Sequence, residues 1–423
     1  MDASEAVALL MSPLGRIDPY PTYERLRAHG PVVQTAAGFF VVTGYTEADT
    51  VLRNARLAFE VMDDELRDDV FPHWQDSPAM KSIARSMIRA NPPNHGRMRR
   101  LAAGAFTPRR IAALREVVTA QADELADEMI RAGRDGAPVD FMGSFAYPLP
   151  VAVICALLGV PAADWARFRG WASDLTAVLE PEITPQELTV ADAGASELRD
   201  YFTELIAQRR RAPADDLTTA LVQTHDADGD RLSGEELLAN LVLLLVAGFE
   251  TTTNLLGNGL VVLLAHPDSA TALRGQPELA PGYVDELLRY DSPVQLTTRT
   301  VRESVLLAGV ELPAGSWVLV LLGAANRDPE RFTDPTRFDP GRAQSPPLSF
   351  GAGAHYCLGA GLARLEAQVA FPLLLRRLPE LALAGEPTRR NRLTLRGYET
   401  LPVTVSAIAA DHGTPAGVAR GTP

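Results

Sequence analysis

The sequence predicts a mainly α-helical protein with small β-sheets. Apolar residues recur with helical spacing along most of the chain, as in RIAALREVVTAQADELADEMIRAG over residues 110–133. Short β-like segments with central turns interrupt this pattern at residues 31–45, 305–322 and 392–406. The chain shows no internal repeat, long Gly/Ser linker or break in composition, which favours one large domain over residues 1–423. Its ordered core is expected at about 18–407, between a flexible N-terminal arm and a small, polar C-terminal tail.

The composition limits the class of protein. With 423 residues, 46% of them hydrophobic, the chain is able to bury a large core. A formal net charge of -13 argues against a nucleic-acid partner, because phosphate contacts need a broadly basic face. Two cysteines, Cys155 and Cys357, are too few for a disulfide framework and predict a reducing compartment, with the cytoplasm as the expected location. The first residues show no secretory signal pattern.

One apolar run, residues 237–266, is long enough to suggest a membrane span. Its middle carries Glu250, Asn254 and three threonines, so the sequence favours a long buried helix and no membrane partner. Ser233 and Glu236 have the spacing of a capping box that opens this helix.

Several well-known motifs are incomplete in this chain. GAGAHYCLGAG imitates a dinucleotide fingerprint, but Tyr356 stands where the third glycine is required. DADGDRLSGEEL imitates a calcium loop, but Leu237 stands where the bidentate glutamate belongs. The sequence also contains no G-x-S-x-G elbow, no H-E-x-x-H and no paired CxxC, so hydrolase and zinc-site interpretations lack their residues.

Cys357 lies in a glycine-rich loop, LSFGAGAHYCLGAG, whereas Cys155 lies in an apolar helix-like segment and is interpreted as a small buried residue. Gly351, Gly353 and Gly359 allow a tight backbone that approaches a flat ligand. A helix is predicted directly after Cys357, and a thiolate at a helix N-terminus is stabilised by the dipole and by free amides. One sulfur ligand alone suits haem iron, whose equatorial ligands come from the macrocycle.

The loop FGAGAHYCLG resembles the haem-thiolate loop of the cytochrome P450 monooxygenases, in particular the soluble bacterial type and actinobacterial enzymes that tailor natural products. The residues that carry this resemblance are Phe350, Gly351, Gly353, His355, Cys357 and Gly359. Three further motifs follow the order of the family, and together they span about residues 20 to 405. The resemblance implies the cytochrome P450 fold, haem b as cofactor and Cys357 as the axial thiolate.

The motif AGFETT at residues 247–252 lies within the predicted long helix. Burying an acid and a hydroxyl in an apolar helix costs free energy, so a functional role is expected for them. The threonine hydroxyl is able to bond to a backbone carbonyl and so weaken the hydrogen bonds of the helix. By resemblance, Ala247 and Gly248 lie beside the haem, and Thr251 with Glu250 guides protons to oxygen as the candidate catalytic pair. The alternative is that both residues only hold a bend in the helix.

The segments ELLR, HGRMRR and TTRT provide structural and cofactor-binding candidates. By resemblance, Glu286 and Arg289 form a buried structural network with Arg337 from the downstream segment DPTRFDP. Haem carries two propionates, which need cationic or imidazole donors. The residues that match the propionate partners of the family are His95, Arg99, Arg299 and His355.

Five stretches correspond in position to the substrate-contacting parts of the family: residues 60–90, 170–185, 243–247, 294–296 and 398–400. Their mixed apolar and polar character suggests a bulky, partly oxygenated molecule such as a polyketide macrolide. The candidate substrate-binding residues are Leu243, Leu244, Ala247, Val294, Gln295, Leu296 and Tyr398.

The resemblance implies a monooxygenase that inserts one oxygen atom of O2 into a C–H or C=C bond of a small molecule. Because no flavin or ferredoxin module is recognisable, electrons are expected from a ferredoxin and its NAD(P)H-dependent reductase. Arginines near the haem-binding segments predict a local docking patch for an acidic ferredoxin: Arg97, Arg100, Arg109, Arg110 and Arg364. Two alternatives remain, a haem-thiolate sensor without turnover and a peroxide-driven or dehydrating haem enzyme. The Glu250–Thr251 pair favours the monooxygenase over both.

Overall fold

The computed structural model describes residues 2–59, 74–104, 106–226, 232–343 and 346–405, without the side chains of 224–226. Helices dominate and the sheets are small, which confirms the predicted fold class. The α-helices are α1 Ala3–Met11, α2 Pro13–Ile17, α3 Tyr20–Arg27, α4 Tyr45–Arg53, α5 Pro78–Ala84, α6 Asn94–Ala103, α7 Pro108–Ala113, α8 Arg115–Ala132, α9 Pro148–Leu158, α10 Trp165–Leu175, α11 Pro185–Arg211, α12 Leu217–Asp226, α13 Gly234–Ala265, α14 Pro267–Gly275, α15 Ala280–Tyr290, α16 Leu322–Ala325 and α17 Ala360–Arg377.

The strands form one larger sheet and three small ones. The strands are β1 Val32–Gln34, β2 Phe40–Val42, β3 Leu57–Ala58, β4 Val139–Asp140, β5 Leu296–Val301, β6 Val305–Leu307, β7 Val310–Leu312, β8 Trp317–Leu321, β9 Ala382–Leu383, β10 Thr388–Arg389, β11 Tyr398–Thr400 and β12 Pro402–Thr404. Each predicted β segment contains described strands. The larger sheet is mixed and has the order β1-β2-β8-β5-β3, in which only β2 and β8 are parallel.

Helix α13 runs through the centre of the protein. It opens on the predicted capping box, in which the Ser233 amide donates to Glu236 at 2.7 Å and the Glu236 amide donates to Ser233 Oγ at 3.1 Å. It is long and apolar enough to cross a membrane, but 78% of its most apolar window is buried inside the protein. The interpretation as a buried core helix is therefore confirmed.

Two local features differ from the sequence prediction. The helix expected over 110–133 is divided at Leu114, whose amide donates to the Ile111 carbonyl three residues back, so that α7 and α8 are separate. The N-terminal arm, expected to be flexible, forms α1 and α2, and α1 buries Ala6, Val7 and Leu10 in an apolar cluster shared with α3. The predicted C-terminal tail, from residue 406, lies outside the described residues.

Helix α17 follows the cysteine loop and packs on α8, α13, α14 and α15. Its Leu362 and Leu365 are buried in the same apolar cluster as Leu255 of α13 and Leu287 of α15. Gly259 of α13 faces the Phe371 ring and has no room for a side chain. This packing fixes the start of α17, and with it the cysteine loop, against the middle of α13.

Candidate active site

The cysteine loop is shaped by glycines in the left-handed region. Gly351 and Gly353 both have φ of +67°, which L side chains rarely adopt. A Cβ at Gly353 would also lie 2.6 Å from the carbonyl oxygen of Leu52, so the loop packs directly on the end of α4. The Cys357 amide donates to the Phe350 carbonyl at 2.9 Å and closes the loop just before α17.

Cys357 faces a cavity of about 300 Å³. Burial raises the pKa of its thiol, whereas the backbone amides of Gly359 and Ala360 and the charge of Arg99 act in the opposite direction. Amides at the start of a helix stabilise a thiolate. Among the described residues, no group of three or more His, Cys, Asp or Glu side chains forms a metal site.

Helix α13 and the cysteine loop supply opposite parts of the cavity lining. Of the predicted residues, the structure brings fourteen together around the cavity: His95, Arg99, Leu243, Leu244, Ala247, Gly248, Thr251, Val294, Arg299, Phe350, Gly351, His355, Cys357 and Gly359. A Cβ at Gly248 would lie 2.6 Å from Ile154 Cγ1, so this glycine lets α13 lie close to α9. The Thr251 hydroxyl donates to the Ala247 carbonyl at 3.0 Å.

Glu250 does not line the cavity, although it precedes Thr251 in α13. Its side chain is 2% exposed and forms an ion pair with Arg390, which follows β10. Arg390 also lies 3.7 Å from Glu399, whose side chain is 65% exposed. The acid is therefore connected to the protein surface through an arginine that the sequence motifs did not identify.

Four basic side chains meet at one end of the cavity. The His95 and His355 rings lie 3.9 Å apart. Burial, followed by the proximity of His95 and two arginines, lowers the pKa of His355 to about 3, and burial with Arg99 lowers that of His95. Both imidazoles are therefore neutral at pH 7.

Arg299 and Arg99 keep this end of the cavity positively charged. Burial and the nearby Arg89 lower the pKa of Arg299 to about 10, so it remains a cation at neutral pH. Its guanidinium donates to Thr297 Oγ1 at 3.0 Å and to the Thr298 carbonyl at 2.7 Å, and Arg99 donates to the Tyr356 carbonyl at 2.7 Å. Within the described residues, the hydrogen-bond partners of both guanidiniums are a hydroxyl and carbonyl oxygens, and their positive charge suits an anionic ligand group.

Three predicted substrate residues lie elsewhere. Gln295 is buried in hydrogen bonds with Tyr23 and with the Ser292 carbonyl. Leu296 packs with the N-terminal helices, because alternation along β5 turns Thr297 and Arg299 to the cavity and Leu296 away from it. Tyr398 stacks against the Arg389 guanidinium, 3.7 Å from its ring centroid, in the core beside α13.

The predicted substrate stretches contribute unequally. Residues 170–185 and 398–400 do not line the cavity, and within 60–90 the described lining residues are Met87 and Ile88. Residues 60–73 lie outside the described part of the chain. Thr252 and Thr297 also line the cavity; they lie within the motifs AGFETT and TTRT but were not singled out. Further lining residues come from separate elements with no local pattern: Leu52, Phe59, Phe106, Ile154, Leu288 and Pro293.

The buried structural network differs from the prediction in one member. Arg289 and Glu286 form a two-point ion pair at 2.7 Å, with both side chains almost fully buried. The downstream arginine is Arg342, whose Nε lies 3.5 Å from Glu286 Oε2. Arg337 was predicted for this place, but its side chain is 65% exposed and pairs with Asp339, and only its carbonyl accepts from Arg289.

The comparisons with known proteins agree with this site. A family model described as Cytochrome P450 matches residues 182–381. Cytochrome P450 monooxygenase PikC of Streptomyces venezuelae is 43% identical over 394 residues, covering 91% of this chain and 91% of that protein. The 6-deoxyerythronolide B hydroxylase of Saccharopolyspora erythraea is 40% identical, covering 92% of this chain and 96% of that protein. The chain belongs to the cytochrome P450 family, as the cysteine loop predicted.

The solved structures agree with the same assignment. P450BioI, in complex with hexadec-9Z-enoic acid ligated acyl carrier protein, superimposes with a TM-score of 0.86 at 37% identity, covering 93% of this chain and 100% of that chain. The cytochrome P450 fold predicted from the motifs is therefore confirmed. Because its relatives are named monooxygenases and hydroxylases, the protein is an enzyme of the P450 monooxygenase class.

Proposed function

We propose that the cavity binds haem b with the Cys357 thiolate as axial ligand. Cys357 lines the cavity in a loop that glycines shape for close approach. The positive charges of Arg99 and Arg299, with His95 and His355, suit the two propionates. Ala247, Gly248, Phe350, Gly351 and Gly359 also line the cavity and would contact the macrocycle. When bound, haem supplies the redox chemistry with dioxygen that side chains lack.

The proposed reaction is insertion of one oxygen atom from O2 into a C–H or C=C bond of a bulky natural product of polyketide or macrolide type. Leu243, Leu244 and Val294 give the cavity an apolar wall, and Thr252 and Thr297 add a few hydroxyls. This combination suits a large, partly oxygenated molecule. The name of one relative, a 6-deoxyerythronolide B hydroxylase, supports the same substrate class.

Thr251 and Glu250 have the proposed role of moving protons. Thr251 holds a hydroxyl at the cavity wall, and an apolar cavity otherwise offers few groups that transfer a proton. Glu250 lies on the neighbouring side of the same helix and reaches toward the surface through Arg390. The Glu250–Thr251 pair is the observation that favours a catalytically active monooxygenase over a haem-thiolate sensor.

Ferredoxin and its NAD(P)H-dependent reductase are the proposed electron donors. Arg109 and Arg110 are exposed on α7, which packs on α17 next to the cysteine loop. Arg97 and Arg364 contribute less free charge than the sequence suggested, because they pair with Glu236 at 2.5 Å and with Asp285 at 2.8 Å. We propose that the enzyme acts in the cytoplasm as a single domain, which its two free cysteines and mostly buried apolar helix support.

The deciding experiment uses the haem-loaded protein with macrolide aglycones and glycosylated macrolides as probes. A substrate is expected to shift the ferric Soret band and to yield a product one oxygen atom heavier, dependent on NAD(P)H, ferredoxin, reductase and O2. Saturable binding without any product across the series would instead support the sensor function. Product formed from peroxide alone, with no requirement for ferredoxin, would support the peroxide-driven alternative.

A further inference from the structure

Phe59, the residue that follows β3, has basic side chains around its ring. The ring is buried and lines the same cavity as Cys357. The guanidinium carbon of Arg299 lies over the ring, 4.0 Å from its centroid, and that of Arg89 lies 5.5 Å from it. The His355 ring packs edge-on against it, with 4.7 Å between the centroids. One apolar ring therefore contacts two of the side chains that are proposed to hold the propionates.

The pairing of β3 with β5 places Phe59 and Arg299 on the same face of the sheet. The two strands are antiparallel, and Ala58 lies opposite Thr300. The next position in this register sets Phe59 opposite Arg299. Side chains that lie directly opposite each other in an antiparallel pair point to the same face and are in contact. The approach of the ring to the guanidinium is therefore a consequence of the strand register.

The ring holds the Arg299 guanidinium without using its hydrogen-bond donors. Within the part of the chain that the structure describes, Arg299 makes both of its hydrogen bonds through Nη1, to Thr297 and Thr298. The face of an aromatic ring attracts a cation through its quadrupole, so this contact leaves the charge in place and needs no N–H group. A carboxylate at the same position would pair with the charge and occupy donors. The Nε and Nη2 groups therefore keep donors for an anionic ligand.

Two guanidiniums approach the same ring, and their charges repel each other. The charge of Arg89 acts with burial to lower the pKa of Arg299 to about 10. Arg299 is only 3% exposed, so water compensates little for this repulsion. The attraction between the guanidinium and the face of the Phe59 ring offsets part of the repulsion and keeps Arg299 at the cavity.

The backbone of Phe59 is clamped by the side chain of Asn91. The Phe59 amide donates to Asn91 Oδ1 at 3.1 Å, and Asn91 Nδ2 donates to the Phe59 carbonyl at 2.8 Å. The Asn91 carbonyl in turn accepts from the His95 amide at 2.9 Å, at the start of α6. Asn91 therefore joins the aromatic ring to the helix that carries His95 and Arg99.

We infer that Phe59 is a positioning residue for the cofactor: its ring holds Arg299 and His355 where they bind a carboxylate of haem, and Asn91 holds the ring. Without the ring, Arg299 loses the attraction that opposes Arg89, and its donors are free to turn away from the ligand. A haem carboxylate would then be bound less tightly, and less positive charge would be held near the iron. This inference rests on the proposed haem-binding function of the cavity.

The first test is Phe59→Leu in the haem-loaded protein, which removes the ring face but keeps an apolar side chain. Transfer of haem to excess apomyoglobin is expected to be about three- to tenfold faster than from the wild type, the range that the loss of one cation–π contact allows. The ferric/ferrous midpoint potential should fall, in the same direction as in Arg299→Gln, because positive charge near the iron favours the reduced form. Neither measurement needs turnover.

Two further variants separate the ring face from general packing. Phe59→Tyr retains an aromatic face and should restore both the haem-transfer rate and the midpoint potential to nearly the wild-type values. Phe39→Leu is the matched control, because Phe39 is a half-buried ring before β2 that packs on Trp317 and does not line the cavity. It should leave both measurements unchanged.

The second test asks whether Asn91 acts through the ring. Asn91→Ala removes both side-chain hydrogen bonds to Phe59 and leaves the backbone bond to His95 in place, so haem should be lost faster than from the wild type. The double variant Asn91→Ala/Phe59→Leu should lose haem no faster than the faster of the two single variants, because the clamp has no effect once the ring is gone. Effects that multiply in the double variant would overturn the role of Asn91 in holding the ring.

The outcomes separate this inference from the proposed function. If the wild-type protein binds no haem, the proposed function is wrong and the inference falls with it. If Arg299→Gln speeds haem loss while Phe59→Leu matches the wild type in both measurements, the role of the ring is wrong and the haem site stands. Equal changes in Phe59→Leu and Phe59→Tyr would assign the effect to packing rather than to the ring face, and would also overturn the inference.

Discussion

Glu250 and Thr251 are adjacent in α13 but face different surroundings: Thr251 lines the cavity, whereas Glu250 pairs with Arg390 away from it. Successive residues of an α-helix are about 100° apart around the axis, since 3.6 residues make a turn. The helix therefore presents a hydroxyl to the cavity and an acid to a path toward the surface.

Thr251→Ala is expected to uncouple electron use from product formation. The variant should retain haem and substrate binding, because the partner of the lost hydroxyl in the described part of the chain is the Ala247 carbonyl of its own helix. NAD(P)H oxidation should continue while peroxide replaces much of the oxygenated product. The measurement is product formed per NAD(P)H oxidised. Thr253→Ala is the control, because Thr253 is buried in the same helix without lining the cavity, and an unchanged ratio in Thr251→Ala would contradict the relay.

Cys357→Ala is expected to abolish the strongly red-shifted Soret band of the reduced, carbon monoxide-bound protein. That band would require a thiolate ligand to the haem iron, and Cys357 is the cysteine that lines the cavity. Cys155 is fully buried in α9, where burial raises the pKa of its thiol to about 12, so Cys155→Ala should keep the band. A normal spectrum from the Cys357 variant would show that another group is the ligand.

The cysteine loop and the α13 motif were predictable from the sequence because each is a short, continuous segment. The position of Cys357 is determined by its own segment, because glycines at fixed spacing form a tight turn and a helix follows directly. The same holds for the capping box at Ser233 and Glu236. The sequence also contains the information that successive side chains of β5 point to opposite faces of the sheet. This alternation predicts that Thr297 and Arg299 lie on one face and Leu296 on the other.

Contacts between distant segments were not predictable in this way. Arg337 and Arg342 lie in one loop, and the sequence gives no reason to prefer either as the partner of Glu286. The path of the backbone turns Arg342 toward Glu286 and Arg337 toward solvent. Arg390 and Glu250 are far apart in the chain, and no local pattern relates them. Long-range ion pairs of this kind depend on how distant segments pack together, and local patterns in a single sequence do not reveal that packing.

The buried network of α15 is expected to dominate the stability of its surroundings. Arg289→Ala leaves Glu286 buried with the Asp339 amide and the more distant Arg342, and breaking such an ion pair costs about 3–5 kcal/mol. Arg342→Ala should cost less, and Arg337→Ala less than about 1 kcal/mol, because its pair with Asp339 is exposed. Denaturant unfolding of the three variants gives this order. A larger loss for Arg337→Ala than for Arg342→Ala would restore the original assignment.

Charge reversal on α7 is expected to slow reduction by ferredoxin. Arg109→Glu/Arg110→Glu removes exposed positive charge beside the cysteine loop, which should lower the reduction rate and weaken its dependence on ionic strength. Arg131→Glu, at an exposed arginine near the C-terminal end of α8 that pairs with Glu128, is the comparison. A reduction rate that ignores salt and tolerates the α7 reversal would argue that the donor docks elsewhere.

Asp291 is expected to make a large contribution to acid stability. It is buried after α15, where Arg396 Nε lies 2.7 Å from it, Arg389 Nη2 lies 3.2 Å away and the Tyr20 hydroxyl donates at 3.0 Å. Burial alone would raise its pKa, but the two arginines outweigh burial and lower it to about 2. An aspartate in the unfolded chain has a pKa of about 3.9. Its stabilising effect is therefore complete above about pH 4 and is lost as pH falls toward 2.

The size of this effect follows from the shift in pKa. A difference of nearly two units corresponds to about 2–3 kcal/mol of unfolding free energy. Asp291→Asn should therefore be less stable than the wild type at pH 7 by at least this amount, since two arginines also lose their partner, and the difference should narrow between pH 4 and 2. Asp49→Asn, which removes an exposed pair with Arg53, should change stability by less than about 1 kcal/mol. Urea unfolding of both variants across this pH range is the measurement, and a constant difference for Asp291→Asn would contradict the lowered pKa.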